Sequence, residues 1–484
     1  MKEKTSQYEL VVGLEVHVQL ATESKLFAPD KNSFGDTPNS NVSPITLAHP
    51  GTLPMPNSKA IEYAIKMGLA CNCEISQLTS FDRKNYFYPD LPKGYQTTQD
   101  NQPICIGGYL DVKSGVGTKR INLNRIHIEE DAGKSMHDGE HKGSLLDFNR
   151  AGTPLIEMVT EPEIGSAEEA GNLLTEIRKI VRFLGVGDGN MEEGSLRCDA
   201  NISLRKKGSD KLGQKVEIKN MNSIRNVQRA IQHEIQRQSS LLDQGKTIKQ
   251  ETRGFDDATG KTTAQRSKEE ANDYRYFPCP DLLPIKISDS YLSELKALMP
   301  KLPAAIAQDL QDQFGLTEYD SEIIAEREDR ADYFYHAAKI CKHYKKIANW
   351  IIGPINNYLG DQLFTSFPIT AERLHELIDL VESGKLNYNT ASTKVFQAMI
   401  DSPQKGANEI AKELSLYQDN DESGLQKIVD EVLEGMPDKV KAYHNGKKGL
   451  TGLFMGQVMQ KSKGKANPQI ATKLINETLE KLRN

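Results

Sequence analysis

Glu15 and His17 stand two residues apart in the apolar stretch LVVGLEVHVQL. Side chains at i and i+2 of a strand leave the same face, so this pair can address one ion or one substrate from one side. A second group, His127, Glu129, Glu130 and Asp131, closes another apolar run. A third carboxylate, Glu157, lies inside PLIEMV. A lone charge there needs a partner, because burying it unpaired is costly, and a cation supplies one. Taken singly, most of these acids also read as solvated side chains beside turns; Glu157, with apolar flanks on both sides, does not. Together they predict a divalent-cation site that handles a phosphate-bearing ligand.

Cationic and amide-rich segments accompany the acids. FDRKNYFYPDLPKGYQ carries Arg83, Lys84, Lys93 and Tyr95. EEGSLRCDANISLR carries Arg197, Asp199 and Asn201, EIKNMNS carries Lys219, Asn220 and Asn222, and DYRYFP carries Arg275. Arg and Lys neutralise phosphate oxygens, while Asn holds a ribose or a base edge. The run Tyr86, Phe87, Tyr88 reads either as core or as a surface on which a base stacks. The familiar nucleotide loops are missing. Gly254-FDDAT-Gly260-Lys261-Thr262 has five residues between its glycines where a phosphate loop needs four, and it reads as a hairpin turn. Gly185, Gly187 and Gly189 lack the dinucleotide spacing, and no Gly-x-Ser-x-Gly elbow is present.

The elements that must position these residues show in the patterning. From Leu10 to Leu20 apolar residues alternate with Gly13, Glu15, His17 and Gln19, the period of a half-buried strand. Further strands are expected at 104–112, 120–129, 153–160, 198–205 and 214–219, with helices at 58–71 and 166–184. Ser166 and Glu169 form a capping-box start for the second helix. This half reads as α+β, built around an antiparallel sheet. From about residue 293 the spacing is helical throughout. The division expected is 1–292, then an all-α segment 293–405, then a small all-α tail 406–484.

At 484 residues and a net charge of −6, the chain excludes a uniform nucleic-acid coat, so RNA contact needs a local patch. One exists between Lys439 and Lys465, with seven lysines and no acid, including Lys447, Lys448, Lys461, Lys463 and Lys465. The six scattered cysteines predict reduced, structural thiols. No run has the length of a membrane span and no signal segment opens the chain, so a cytoplasmic location and no membrane partner are expected.

The strings GLEVHVQL, SFDRKNYFYPDLPKGYQ, HIEEDAGKS, DFNRAGTPLIEMVTEPE, MEEGSLRCDANISLR, EIKNMNS, DYRYFPCPDLLP, NWIIGPINNYL and GQVMQKSKGKANP, in this order, resemble the B subunits of bacterial-type aspartyl/glutamyl-tRNA amidotransferases. The resemblance runs from about residue 8 to the end. It implies a cradle-shaped α+β kinase and transamidase domain followed by two helical domains, the last binding tRNA. It implies ATP and Mg2+ as cofactors and a heterotrimer with a glutaminase A subunit and a small C subunit. The reaction implied is conversion of misacylated Glu-tRNA(Gln) or Asp-tRNA(Asn) to the amide form through a phosphorylated intermediate.

Carried onto this chain, the resemblance puts the metal on Glu15, His17, Glu130 and Glu157. Lys84 then acts on a phosphate or the substrate carboxylate; from the residue types read above, Arg197, Asp199, Asn201, Lys219, Asn222 and Arg275 are expected to bind the nucleotide. The strand period instead places Glu129 beside His127; the resemblance selects Glu130. Many relatives carry a zinc knuckle where this chain has Ala28, Asp30, Ser43 and Thr46, so no structural zinc is expected here. Two other readings stand beside this one: a non-catalytic tRNA-binding scaffold, and a free-standing ligase using ammonia directly.

Overall fold

A computed structural model describes residues 7–115, 117–136, 143–267, 274–360, 362–418, 422–462 and 465–482. It divides into two compact units, the first ending at Leu302 and the second beginning at Pro303. Every strand among the described residues lies in the first unit.

The first unit is built on a ten-stranded sheet. Its centre is β1 (Tyr8–Gln19), flanked on one side by β3 (Pro154–Thr160) and then β2 (Gly117–Glu130). On the other side lie β4 (Leu196–Lys206) and β5 (Val216–Lys219). These pairings are antiparallel. β5 is followed by a parallel neighbour, β6 (Glu251–Asp256), which turns back into β7 (Lys261–Ser267). A parallel step needs a crossover, and α3 (Ile224–Asp243) supplies it. The glycine-flanked segment at 254–260 is the turn of the β6–β7 hairpin, with Gly260 at φ +67°.

The two faces of the sheet follow the period of two. Val12, Leu14, Val16 and Val18 of β1 are buried in the core with Ile126 and Ile128, Ile156 and Met158, Cys198, Ala200 and Ile202, and Val216 and Ile218. α1 (Ser58–Ala70), α2 (Ala167–Phe183) and α3 contribute to that same core through Ile65 and Met67, Leu173, Leu174 and Ile177, and Val227 and Ile231. Ser166 caps α2 by accepting from the Glu169 backbone N–H at 3.0 Å, and the Glu169 carboxylate reaches back to the Gly165 N–H at 2.7 Å. With its opposite face filled by helices, the sheet carries its polar row on the other side.

All six cysteines are reduced and buried. Among the four residues at which no zinc is expected, Ala28 is buried, and Asp30 accepts hydrogen bonds from the Ser43 hydroxyl at 2.9 Å and from the Thr46 hydroxyl. The second unit is helical among the described residues. Its last four long helices, Glu422–Glu434, Pro437–His444, Thr451–Lys461 and Pro468–Lys481, enclose a core of their own around Val429, Phe454, Val458, Ile475 and Leu479. No helix among the described residues is long and apolar enough to cross a membrane.

Candidate active site

Strand register alone assembles the polar row. His17 faces Glu157 across the β1–β3 pair, and Glu157 faces His127 across β3–β2. On the other side His17 faces Arg197 and Glu15 faces Asp199, while Asn201 faces Glu217. Direct partners in an antiparallel pair share a face. One face therefore carries Glu217 and Lys219, then Arg197, Asp199 and Asn201, then Glu15 and His17, then Glu157, then His127 and Glu129.

Two groups of ligand atoms lie within this row. In the first, His17, Glu129 and Glu157 offer ligand atoms all within 4.8 Å of one another. The His17 Nε2 is 3.2 Å from Glu157 and 3.5 Å from Glu129, and His127 Nε2 lies 3.6 Å and 3.8 Å from the same two carboxylates. Burial alone would lower the His17 pKa, but the Glu157 and Glu129 carboxylates outweigh it and hold it raised to about 9. Burial would raise the Glu157 carboxyl, and the two imidazoles and Lys84 instead hold it well below the usual carboxylate range. In the second group, Glu15, Asp199 and Glu217 come within the same distance of one another. Lys219 bonds Asp199 and stands 3.2 Å from Glu217. Glu15 is raised by burial first, and then by Glu157, Asp199 and Glu217, although Asn201 Nδ2 donates to it at 2.8 Å. A carboxyl raised by neighbouring carboxylates is a position a cation would relieve. Oxygen-rich donors suit Mg2+, and the imidazole of the first group also suits Mn2+.

The structure brings His17 and Glu157 together as the sequence reading expects, but the acid that joins them is Glu129, and Glu15 falls in the second group with Asp199 and Glu217. Glu130 points the other way. Its carboxylate pairs with Lys93 and accepts from the Thr97 N–H at 2.9 Å, and the side chain is buried. The regular strand runs through Glu130 rather than ending before it, so the period of two holds to the end of β2 and puts His127 and Glu129, both buried, on the face of His17 and Glu157. A cavity of about 250 Å³ has Lys93 and Glu130 in its lining, with Phe27, Thr46 and Tyr95, but none of the residues of the two groups.

Lys84, on the strand Asp82–Asn85, belongs with the first group. Burial lowers its pKa, and Glu129 and Glu157 more than compensate, so it stays cationic. Arg197 donates to Asp131 at 2.8 Å, and Gln19 donates to the same carboxylate at 2.9 Å, so Arg197 is oriented from below. Asn222 accepts from Asn226 at 2.7 Å in the turn that starts α3, away from the paired row. Arg275 is exposed, has a φ of 45°, and sits between Tyr274 and Tyr276. Sequence reading missed Glu217. Its signal is the alternation in VEIK, in which Val216 and Ile218 are buried and Glu217 and Lys219 face outward, the same pattern that exposed Glu15 and His17.

Among the tail lysines, Lys447, Lys448 and Lys465 are exposed. The Lys448 Nζ sits 4.0 Å from the Tyr443 ring centroid, and Lys461 pairs with Glu431 at 2.8 Å. Lys463 lies outside the described residues.

An antiparallel-rich sheet with helices on one face and paired acid groups on the other belongs to a recognisable class. Residues 10–293 match the model of the GatB/GatE catalytic domain, and residues 332–479 match that of the GatB domain. The chain belongs to the family of aspartyl/glutamyl-tRNA(Asn/Gln) amidotransferase B subunits. It is 47% identical to the protein of that name from Persephonella marina, over 98% of this chain and all of the relative. Identities are 46% to that of Thermodesulfovibrio yellowstonii and 45% to that of Caldanaerobacter subterraneus subsp. tengcongensis, each over 98% of this chain and 99% or more of the relative.

Proposed function

We propose that this chain performs the phosphorylating half of tRNA-dependent amide formation. The side-chain carboxylate of a glutamate or aspartate carried by a misacylated tRNA takes the γ-phosphoryl group of ATP, giving an acyl phosphate and ADP. Ammonia then adds to the acyl carbon, the C–O bond to phosphate breaks, and loss of a proton leaves Gln-tRNA(Gln) or Asn-tRNA(Asn). A free carboxylate resists ammonia because its leaving group would be oxide; phosphate removes that obstacle.

The observation that carries this reading is the pair of acid groups that meet on Glu15 and His17 of one strand, with a cationic Lys84 beside them. His17, Glu129 and Glu157 would hold one Mg2+, and Glu15, Asp199 and Glu217 a second. When bound, the ions neutralise charge on the transferring phosphoryl group. The chain's own groups do the positioning. Lys84 keeps its proton and meets phosphate or the substrate carboxylate as a fixed positive charge. Asp131 and Gln19 fix Arg197 at the rim of the row, and Asn201 fixes Glu15. The acyl phosphate hydrolyses readily, so ammonia must reach it by a sheltered route.

The relatives are B subunits by name, which supports work within a larger assembly. We assign as partners a glutaminase A subunit that releases ammonia and a small C subunit, acting on tRNA in the cytoplasm. The exposed tail lysines suit tRNA phosphates. Changing Lys447 and Lys448 to Gln should weaken tRNA binding and lower the steepness of its salt dependence by about one unit for each phosphate no longer neutralised. An unchanged salt slope would remove these lysines from the interface.

The decisive experiment mixes the purified complex with terminally labelled ATP, glutamine and Glu-tRNA(Gln) or Asp-tRNA(Asn), and identifies the amino acid left on the tRNA. Amide formation that proceeds without ATP consumption would sink the reading.

A further inference from the structure

Four tyrosines form a continuous row beside the first acid group. Tyr86 lies 5.9 Å from Tyr88 and 6.0 Å from Tyr274, and Tyr274 lies 6.0 Å from Tyr276, all in edge-to-face contact. The row joins two distant segments. Asp82–Asn85 pairs with Phe277–Pro278, the Asn85 N–H donates to the Tyr274 carbonyl at 2.9 Å, and the Asn85 side-chain amide donates to the Arg275 backbone carbonyl at 2.8 Å. A core role for these rings does not hold. None of the four belongs to the apolar core of the first unit or packs against it. Phe87 beside them is 89% exposed, Tyr88 53% and Tyr276 39%. The two middle rings, Tyr86 and Tyr274, are half-buried and both ends of the row are exposed, so the row offers an aromatic surface to a ligand.

Lys84 connects the row to the chemistry. Its Nζ lies 4.9 Å from the Tyr274 ring centroid and 5.9 Å from that of Tyr86. The order is therefore one ammonium and then aromatic rings. A ligand matching that order has phosphates at one end and a flat π-face at the other. Aromatic side chains hold bases of any sequence, since every base presents such a face.

We infer that the row Tyr88–Tyr86–Tyr274–Tyr276, with Phe87 at its edge, is a seat for the purine base of a nucleotide whose phosphate end lies at Lys84. This rests on the phosphoryl-transfer reading above. Two nucleotides in that reaction carry such a base, ATP and the aminoacylated 3′ end of the tRNA.

The test uses the whole assembled complex and the variants Phe87→Ala and Tyr276→Leu, with Phe87→Trp as the conservative control. Affinities for ATP and for inorganic tripolyphosphate are measured in Mg2+, together with the KM for aminoacyl-tRNA. Base stacking is worth about 1–3 kcal/mol, so its loss should weaken the affected ligand about 5- to 150-fold. If the seat takes the ATP base, ATP affinity falls while tripolyphosphate affinity holds. If it takes the tRNA end, the KM for aminoacyl-tRNA rises and ATP affinity holds. Phe87→Trp should restore either. Equal weakening of ATP and tripolyphosphate, or no change in both the ATP affinity and the KM for aminoacyl-tRNA, overturns the base seat. A wild-type complex that binds neither ATP nor tripolyphosphate would overturn the phosphoryl-transfer reading itself, which is a different failure.

Discussion

The two acid groups on the sheet solve the same problem differently. Both gather three ligands at close range from strands distant in sequence, and both must balance negative charge in a partly buried place. The group of His17, Glu129 and Glu157 borrows its positive charge from imidazole, with His127 as a second neighbour. The group of Glu15, Asp199 and Glu217 borrows it from the Lys219 ammonium. The His17 imidazole, even raised to about 9, gives up its proton more readily than the Lys219 ammonium, which, against the effect of burial, Asp199 and Glu217 hold above the usual lysine range. On the reading proposed above, the first group is therefore the one that would convert more easily to a set of metal ligands, and the second keeps a cation beside its acids.

Glu157→Gln is the largest test of this contrast. It removes the carboxylate shared by both imidazoles, and phosphorylation of the aminoacyl-tRNA should fall about 100-fold or more with the complex still assembled. Retained phosphorylation would take Glu157 out of the site. Glu129→Gln should behave the same way. Glu130→Gln, one residue along, should instead appear in thermal unfolding. It strands a largely buried Lys93 without its partner, a change that costs about 3–5 kcal/mol, and the double variant with Lys93→Met should recover most of that loss. If Glu130→Gln left stability untouched and abolished phosphorylation, the two neighbouring acids would exchange roles.

Within the second group, Asn201→Ala frees the Glu15 carboxylate it holds. It should weaken Mn2+ binding by calorimetry about tenfold, the scale seen when a residue that orients a metal ligand is removed. Lys219→Met is the smallest test. Taking away the fixed ammonium should tighten Mn2+ binding a few-fold, about 1 kcal/mol. Unchanged affinity would mean Lys219 does not screen the group.

Much of this is legible in the residues, for a physical reason. A strand buried on one face writes its alternation into the sequence, so β1, β3 and β4 and their outward acids can be read directly. The acid at the end of β2 is misplaced because the resemblance runs one residue out of step with the pleat. Glu217 escapes notice because β5 is four residues long, too short for its period to stand out. The engagement of Asn222 in the α3 turn and the pinning of Arg197 by Asp131 depend on tertiary geometry, and local patterning carries no information about such partners. The aromatic run at 86–88 leaves two readings open, since exposure of a ring is set by what packs on it and not by its neighbours in sequence.

The central position of β1 also has a consequence for how the chain is made. That strand carries Glu15 and His17, yet its two neighbours begin only at Pro154 and Leu196. During synthesis its apolar side, Val12 to Val18, must wait unpaired while a long stretch of polypeptide emerges. Pairings between such remote segments form slowly, and an exposed strand is vulnerable to sticking to others meanwhile. The arrangement that concentrates ligands at the middle of the sheet thus makes nascent β1 a natural client for holding chaperones.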